Sequence, residues 1–259
     1  MSVHSKFIQT PISNILNDAA QATNCIASGI NVYPLCDYIL QSVFMKMTGS
    51  QEQKMKCICW ELATVNFDIR RELYSNWTLG ECSRIEDKES VLKFMLKALC
   101  DIDEMFDIHS FIDRQSILDE TKFELESFYQ KANLKGFAEK SFNEYKKIID
   151  QIADKCIYST VQKTKFLFAK CDNCGRANKN NYPLTCSTKK GLRFMYDKLY
   201  LHRNRCAHNL TSYQQNLPAL NTLRNTEYLY ENYFIRFALL IIIDKVMIKL
   251  YRTFEDVCK

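Results

Sequence analysis

The chain has 259 residues, of which 47% are hydrophobic and 25% are charged, and this composition excludes an intrinsically disordered protein. Six glycines and four prolines are few for this length, which favours long helices over sheets, because sheets and hairpins need many turns. The net charge of +5 permits a polyanionic partner without requiring one, since 35 basic and 30 acidic residues are interspersed.

Twelve cysteines would suit a disulfide-rich secreted protein, but residues 1–14 contain no apolar signal core. We therefore expect a cytoplasmic protein in which reduced cysteines, such as Cys57, Cys59 and Cys100, act as small core residues. The most apolar stretch, 233–250, carries four charged residues, and a membrane span needs about 20 nearly uncharged ones. This stretch is predicted to be a buried core helix.

Apolar residues at helical spacing predict a helix near 12–27 and then a helical hairpin. The hairpin's first helix begins near Pro34 and ends at residue 47, Gly49 and Ser50 interrupt it, and the second helix spans 51–74.

Further along the chain, a loop is predicted over 75–88 and a polar loop over 170–190. Additional helices are predicted over 91–100, 119–132, 137–157, 190–207 and 227–254. With no strand-like alternation and no internal repeat, the sequence predicts an all-α helical bundle.

The segment 191–210 contains the candidate functional residues. If each residue advances about 100° around a helix, most of its apolar residues share one stripe: Leu192, Met195, Tyr196, Leu199, Cys206, Ala207 and Leu210. Arg203 falls inside the stripe and needs partners, because a lone buried charge is costly. Asn204 and His208 are four residues apart on another face. Arg203 and His208 are about 140° apart, so either the chain bends near Asn209 or a second copy completes the site.

The sequence ArgAsnArgCysAlaHis at 203–208 resembles the Arg, Asn, three residues, His motif of the HEPN superfamily. Many members of that superfamily are ribonucleases of toxin–antitoxin, abortive-infection and RNA-guided defence systems. The apolar residues before the motif, the long apolar helix after it and the hairpin at 34–74 are also similar to those domains. The resemblance implies a single HEPN-like all-α domain over 1–259, with core helices at about 34–74 and 190–254 and a helical insertion at about 75–189.

The resemblance also implies a metal-independent endoribonuclease without a cofactor, acting as a toxin or antiphage-defence effector. RNA supplies its own 2′-hydroxyl nucleophile, His208 serves as general acid or base, Arg203 holds the phosphate, and Asn204 orients the imidazole or a phosphate oxygen. HEPN nucleases pair two motifs, so one motif per chain implies a homodimer, and an antitoxin or defence protein is a further possible partner. The alternatives are a non-catalytic HEPN-like RNA-binding or adaptor protein and a helical interaction protein unrelated to HEPN.

Basic residues surround the motif, with runs at 163–170, 176–179 and 189–193. We predict that RNA is contacted by Lys189, Lys190 and Arg193 of the last run and by Arg205 inside the motif. A solvated charged surface is the alternative explanation of such runs.

A possible zinc site is Cys171-x-x-Cys174 with Cys186. A structural zinc needs four ligands, so Cys206 or His202 would have to join these cysteines. Only half of the usual pattern is present, and the chain is therefore predicted to bind no metal at this place.

Overall fold

A computed structural model describes residues 3–26, 29–75, 81–150, 152, 157, 167–168, 192–208 and 232–258. These residues are predominantly helical and contain no strand, which confirms the predicted all-α class. The helices are α1 (Val3–Gln9), α2 (Asn14–Thr23), α3 (Tyr33–Val65), α4 (Phe67–Ser75), α5 (Ile85–Ile102), α6 (Ile108–Phe111), α7 (Arg114–Lys131), α8 (Lys135–Ile149), α9 (Leu192–His208) and α10 (Tyr233–Val257). A short 3₁₀ turn, Ile30–Val32, precedes α3.

Helix α10 forms the centre of the bundle. Every residue from Phe234 to Asp244 is buried, so this part of the helix is covered on all sides. Its neighbours are α1, α3, α5, α7, α8 and α9. The prediction of a buried core helix here is confirmed, and within the described ranges no helix has both the length and the apolar character needed to span a bilayer.

The predicted hairpin at 34–74 is wrong, because α3 continues without a break through Gly49 and Ser50. A glycine inside a helix costs only about 1 kcal/mol relative to alanine, and tertiary packing holds this part of α3 in place. Gln51 is buried, and its Nε2 donates a hydrogen bond to the carbonyl oxygen of Leu240 at 2.8 Å. The turn falls instead at Asn66, whose Oδ1 accepts from the backbone N–H of Ile69 at 3.0 Å and caps α4.

Other predicted boundaries also differ. The helix near 12–27 is the shorter α2, with α1 before it, and α8 ends at Ile149 although it was predicted to reach residue 157. Helix α5 begins inside the predicted loop 75–88, because Asp87 accepts the backbone N–H of Arg84 at 3.2 Å and stabilises the first turn. Cys100 is exposed, contrary to its predicted role in the core.

Two buried charges tie α3 and α10 to the N-terminal segment. Lys54 Nζ and Asp244 Oδ1 lie 2.6 Å apart, and each side chain is only 3% exposed. Asp244 Oδ2 also accepts the backbone N–H of Ile12 at 2.9 Å, and Lys54 donates to the carbonyl oxygen of Thr10. The pair therefore fixes the chain between α1 and α2 against the centre of the bundle.

One hydrophobic cluster joins these helices. It includes residues of α5, α7 and α8, which lie in the segment predicted to be an insertion, together with residues of α3, α9 and α10. Helix α9 packs against α3, α5 and α10, and these contacts set the direction in which its polar residues point.

Candidate active site

Helix α9 carries the motif as one continuous helix that includes residues 203–208. Its apolar stripe is buried as predicted at Leu192, Met195, Tyr196, Leu199 and Cys206. Ala207 is partly buried, and Leu210 and Asn209, where a bend was one alternative, lie outside the described residues.

Arg203 lies on the buried side of α9 and has partners there. Its Nη2 donates to Glu52 Oε2 of α3 at 3.0 Å, and its Nη1 donates to Asn204 Oδ1 at 3.3 Å. The side chains of Arg203 and Glu52 are 19% and 12% exposed. The guanidinium is thus held by a carboxylate, as an arginine within a core stripe requires.

A second cation, Lys88 of α5, lies next to this ion pair. It is buried, and its Nζ donates to the carbonyl oxygens of Cys82 at 2.6 Å and Ser83 at 3.3 Å. Burial lowers the pKa of Lys88 to about 8, and the carboxylate of Glu52 opposes that change. Lys88, Glu52 and Arg203 line one small gap that leaves no room for a water-sized molecule.

On the solvent side of this gap, Tyr200 links the motif to the segment before α5. Arg84 Nε donates to Tyr200 Oη at 3.3 Å, and the guanidinium carbon lies 5.9 Å from the centre of the Tyr200 ring. Hydrogen bonds with Arg84 and Asn204 lower the pKa of Tyr200. The side chains of Arg84, Tyr200, Asn204 and Arg203 therefore form a continuous polar row.

Four residues of this site were not predicted from the sequence: Arg84, Tyr200, Glu52 and Lys88. Arg84 and Tyr200 are 116 positions apart in the chain, and Arg203 and Glu52 are 151 apart. No periodicity or local motif connects residues at such separations. The one available signal was that an arginine within the core stripe must have a carboxylate partner.

Three further predicted site residues, Arg193, Arg205 and His208, belong to α9. The backbone of His208 ends α9, about 140° around the helix from Arg203. Arg193 is held by two acidic residues of α5: its Nη2 lies 2.9 Å from Glu86 Oε1, and its Nη1 donates to Glu89. Arg205 is partly buried on α9, and Lys189 and Lys190 lie outside the described residues.

A separate polar cluster surrounds His202. Its Nε2 lies 3.4 Å from both Cys206 Sγ and Tyr233 Oη, and its ring centre lies 5.5 Å from that of Phe44. Burial, together with the positive charges of Arg236 and Arg205, lowers the pKa of His202 to about 2. His202 is therefore neutral at pH 7.

Cys171, Cys174 and Cys186 lie outside the described residues. In the described part of the chain, no three histidine, cysteine, aspartate or glutamate side chains come together in a way that would hold a metal ion. Burial raises the pKa of the Cys206 thiol, which keeps it protonated at pH 7.

Comparison of the chain with protein-family models, with curated proteins and with solved structures finds no match. The site offers a fixed guanidinium, an amide beside it, and a histidine position one helical turn further along.

Proposed function

We propose that the chain is a metal-independent endoribonuclease of the HEPN type. The observation that supports this best is the contact between Arg203 and Asn204 on a continuous helix that also contains His208. The guanidinium is partly exposed and oriented by Glu52, which suits a group that must meet a phosphate without rearranging.

The chemistry needs few protein groups, because RNA supplies the 2′-hydroxyl nucleophile. His208 takes a proton from that hydroxyl or gives one to the leaving oxygen. Arg203 stabilises the charge that develops on the phosphorus oxygens. Asn204 positions Arg203 through the hydrogen bond at 3.3 Å.

A homodimer is part of this proposal. Positions 203 and 208 are about 140° apart around an ideal helix, so one copy of α9 does not carry both positions on one face. Leu201 is apolar, 54% exposed, and lies within about 20° of His208 around the helix. A two-fold contact through this face would bring the two motifs to one groove.

The physiological role that fits such an enzyme is a toxin or antiphage-defence effector, held in check by an antitoxin or another defence protein. The second candidate function is a non-catalytic HEPN-like RNA-binding or adaptor protein. The ion pair between Arg203 and Glu52 favours it, because an arginine satisfied in this way can be purely structural.

An RNA-cleavage assay in EDTA separates the two candidates. The wild-type chain should cut a single-stranded RNA, and His208→Ala should be slower by about 10²- to 10⁴-fold. His109→Ala is the matched control, since His109 lies on α6, which is outside the site. The products should carry a 2′,3′-cyclic phosphate, and a 2′-O-methyl group at the cut position should stop the reaction. Magnesium-dependent cleavage, or cleavage of the 2′-O-methyl substrate, would contradict the mechanism.

A further inference from the structure

We propose that Arg84 is a phosphate-binding residue of this site, contributed by the segment between α4 and α5. The inference rests on RNA being the ligand of the proposed function and extends it to a part of the chain outside the motif. Arg84 is exposed, and only its Nε is needed for the hydrogen bond to Tyr200. A guanidinium has five N–H donors, so its outer edge can meet a phosphate in a two-pronged contact.

The backbone before Arg84 is held by unusually costly interactions. Cys82 has a φ of 53°, a region that residues other than glycine rarely adopt. The ammonium group of Lys88 is buried in order to donate to the carbonyl oxygens of Cys82 and Ser83. Tyr196 Oη donates to the same Ser83 carbonyl at 2.9 Å. Strain and a buried charge thus both fix the backbone at the buried Cys82 and Ser83, and the exposed Arg84 that follows them contacts Tyr200 of α9.

The position of Arg84 relative to the motif indicates what it would bind. Arg84 donates to Tyr200 at 3.3 Å, and Asn204, four residues further along α9, accepts from Arg203 at 3.3 Å. Two guanidinium groups therefore lie along one edge of the bundle with a tyrosine and an asparagine between them. If the scissile phosphate of an RNA strand is bound by Arg203, a neighbouring phosphate of the same RNA would lie near Arg84.

The nearby carboxylates already have partners. Glu86 lies 2.9 Å from Arg193, and Asp87 accepts the backbone N–H of Arg84 at 3.2 Å. The Arg84 side chain is exposed, and its guanidinium carbon lies 5.9 Å from the centre of the Tyr200 ring. This is the arrangement of a positioned cation that remains available to an anion.

The experiment measures the affinity of His208→Ala protein for a short single-stranded RNA over a range of salt concentrations. Adding Arg84→Gln should weaken binding about tenfold and reduce the slope of log K against log salt by about 0.7, the value for one phosphate contact on a single strand. The effect should be the same for RNAs of different sequence, because a phosphate contact carries no base information. Arg84→Lys should bind with intermediate affinity, since it keeps the charge and loses the bond to Tyr200.

Arg252→Gln is the matched control, because Arg252 is also exposed and lies on α10 about 28 Å along the helix from Tyr233, which contacts α9. The inference is overturned if adding Arg84→Gln to the His208→Ala protein leaves both the RNA affinity and the salt slope unchanged. It is also overturned if the His208→Ala protein does not bind RNA. Cleavage is measured separately: if His208→Ala cuts as the wild type does while Arg84→Gln still weakens binding, the proposed nuclease mechanism fails and the role of Arg84 stands.

Discussion

Arg203 of α9 donates to Glu52 of α3 at 3.0 Å, and the same guanidinium donates to Asn204 through its other terminal nitrogen. One side chain therefore has both a structural contact and a contact within the candidate site. This double role makes it possible to separate stability from catalysis by substitution at one position.

We expect Arg203→Lys to keep most of the stability and lose the activity. An ammonium can pair with Glu52, but it cannot at the same time hold Asn204 and make a two-pronged contact with a phosphate. Cleavage should fall by about 10²- to 10³-fold, while the urea midpoint changes little. Arg203→Ala should lose both, because Glu52 is then left partly buried without its cation. If Arg203→Lys cuts RNA at the wild-type rate, the residue is structural only.

Leu201 lies on the face of α9 that we propose as the two-fold contact. Light scattering at micromolar concentration should give about twice the chain mass of 30.4 kDa. Leu201→Asp should shift the protein to a monomer and reduce cleavage, because a charge would be buried at the two-fold contact. Val65→Asp is the control, since Val65 is similarly exposed at the end of α3. A monomeric wild-type protein that still cuts RNA would contradict the dimer.

The buried pair of Lys54 and Asp244 should dominate the stability of the N-terminal segment. Lys54→Met alone should lower the free energy of unfolding by about 3–5 kcal/mol, because it leaves a buried carboxylate without its cation. Adding Asp244→Asn should recover much of that loss, since the amide is neutral and its oxygen can still accept the N–H of Ile12. Adding Asp244→Leu should recover less, because that N–H then has no acceptor. Urea unfolding of the three variants checks the order, and equal recovery by Asn and Leu would contradict it.

His202 should make the protein sensitive to acid. Its pKa is about 2 in the folded chain and about 6.5 when unfolded, so below pH 6.5 the unfolded state binds a proton that the folded state does not. Stability should therefore fall as the pH falls, by about 2 kcal/mol between pH 7 and pH 5 from this residue.

His202→Gln should remove that part of the pH dependence. The imidazole Nε2 of His202 lies 3.4 Å from Cys206 Sγ and from Tyr233 Oη, and the positive charges of Arg236 and Arg205 oppose its protonation, so a neutral glutamine can replace it. Unfolding in urea at both pH values, compared between wild type and variant, isolates the contribution of His202. An equal loss of stability in both proteins would show that other groups cause it.

The sequence alone determined the helical class, the burial of α10 and the buried face of α9. These features follow from composition and from apolar residues repeating every three or four positions, and both are local properties of the chain. The sequence also required a partner for Arg203, because a charge within an apolar stripe must be compensated.

Only the tertiary structure decided which residues contact Arg203 and Tyr200 of α9, and where α3 ends. Gly49 and Ser50 indicated a turn, but the packing of α3 on α10 and the bond from Gln51 to Leu240 outweigh the small cost of a glycine inside a helix. Glu52 and Arg84 reach α9 from positions more than 100 residues earlier in the chain. Helical periodicity shows which face of a helix is buried, whereas the identity of the residue opposite that face depends on how whole helices pack.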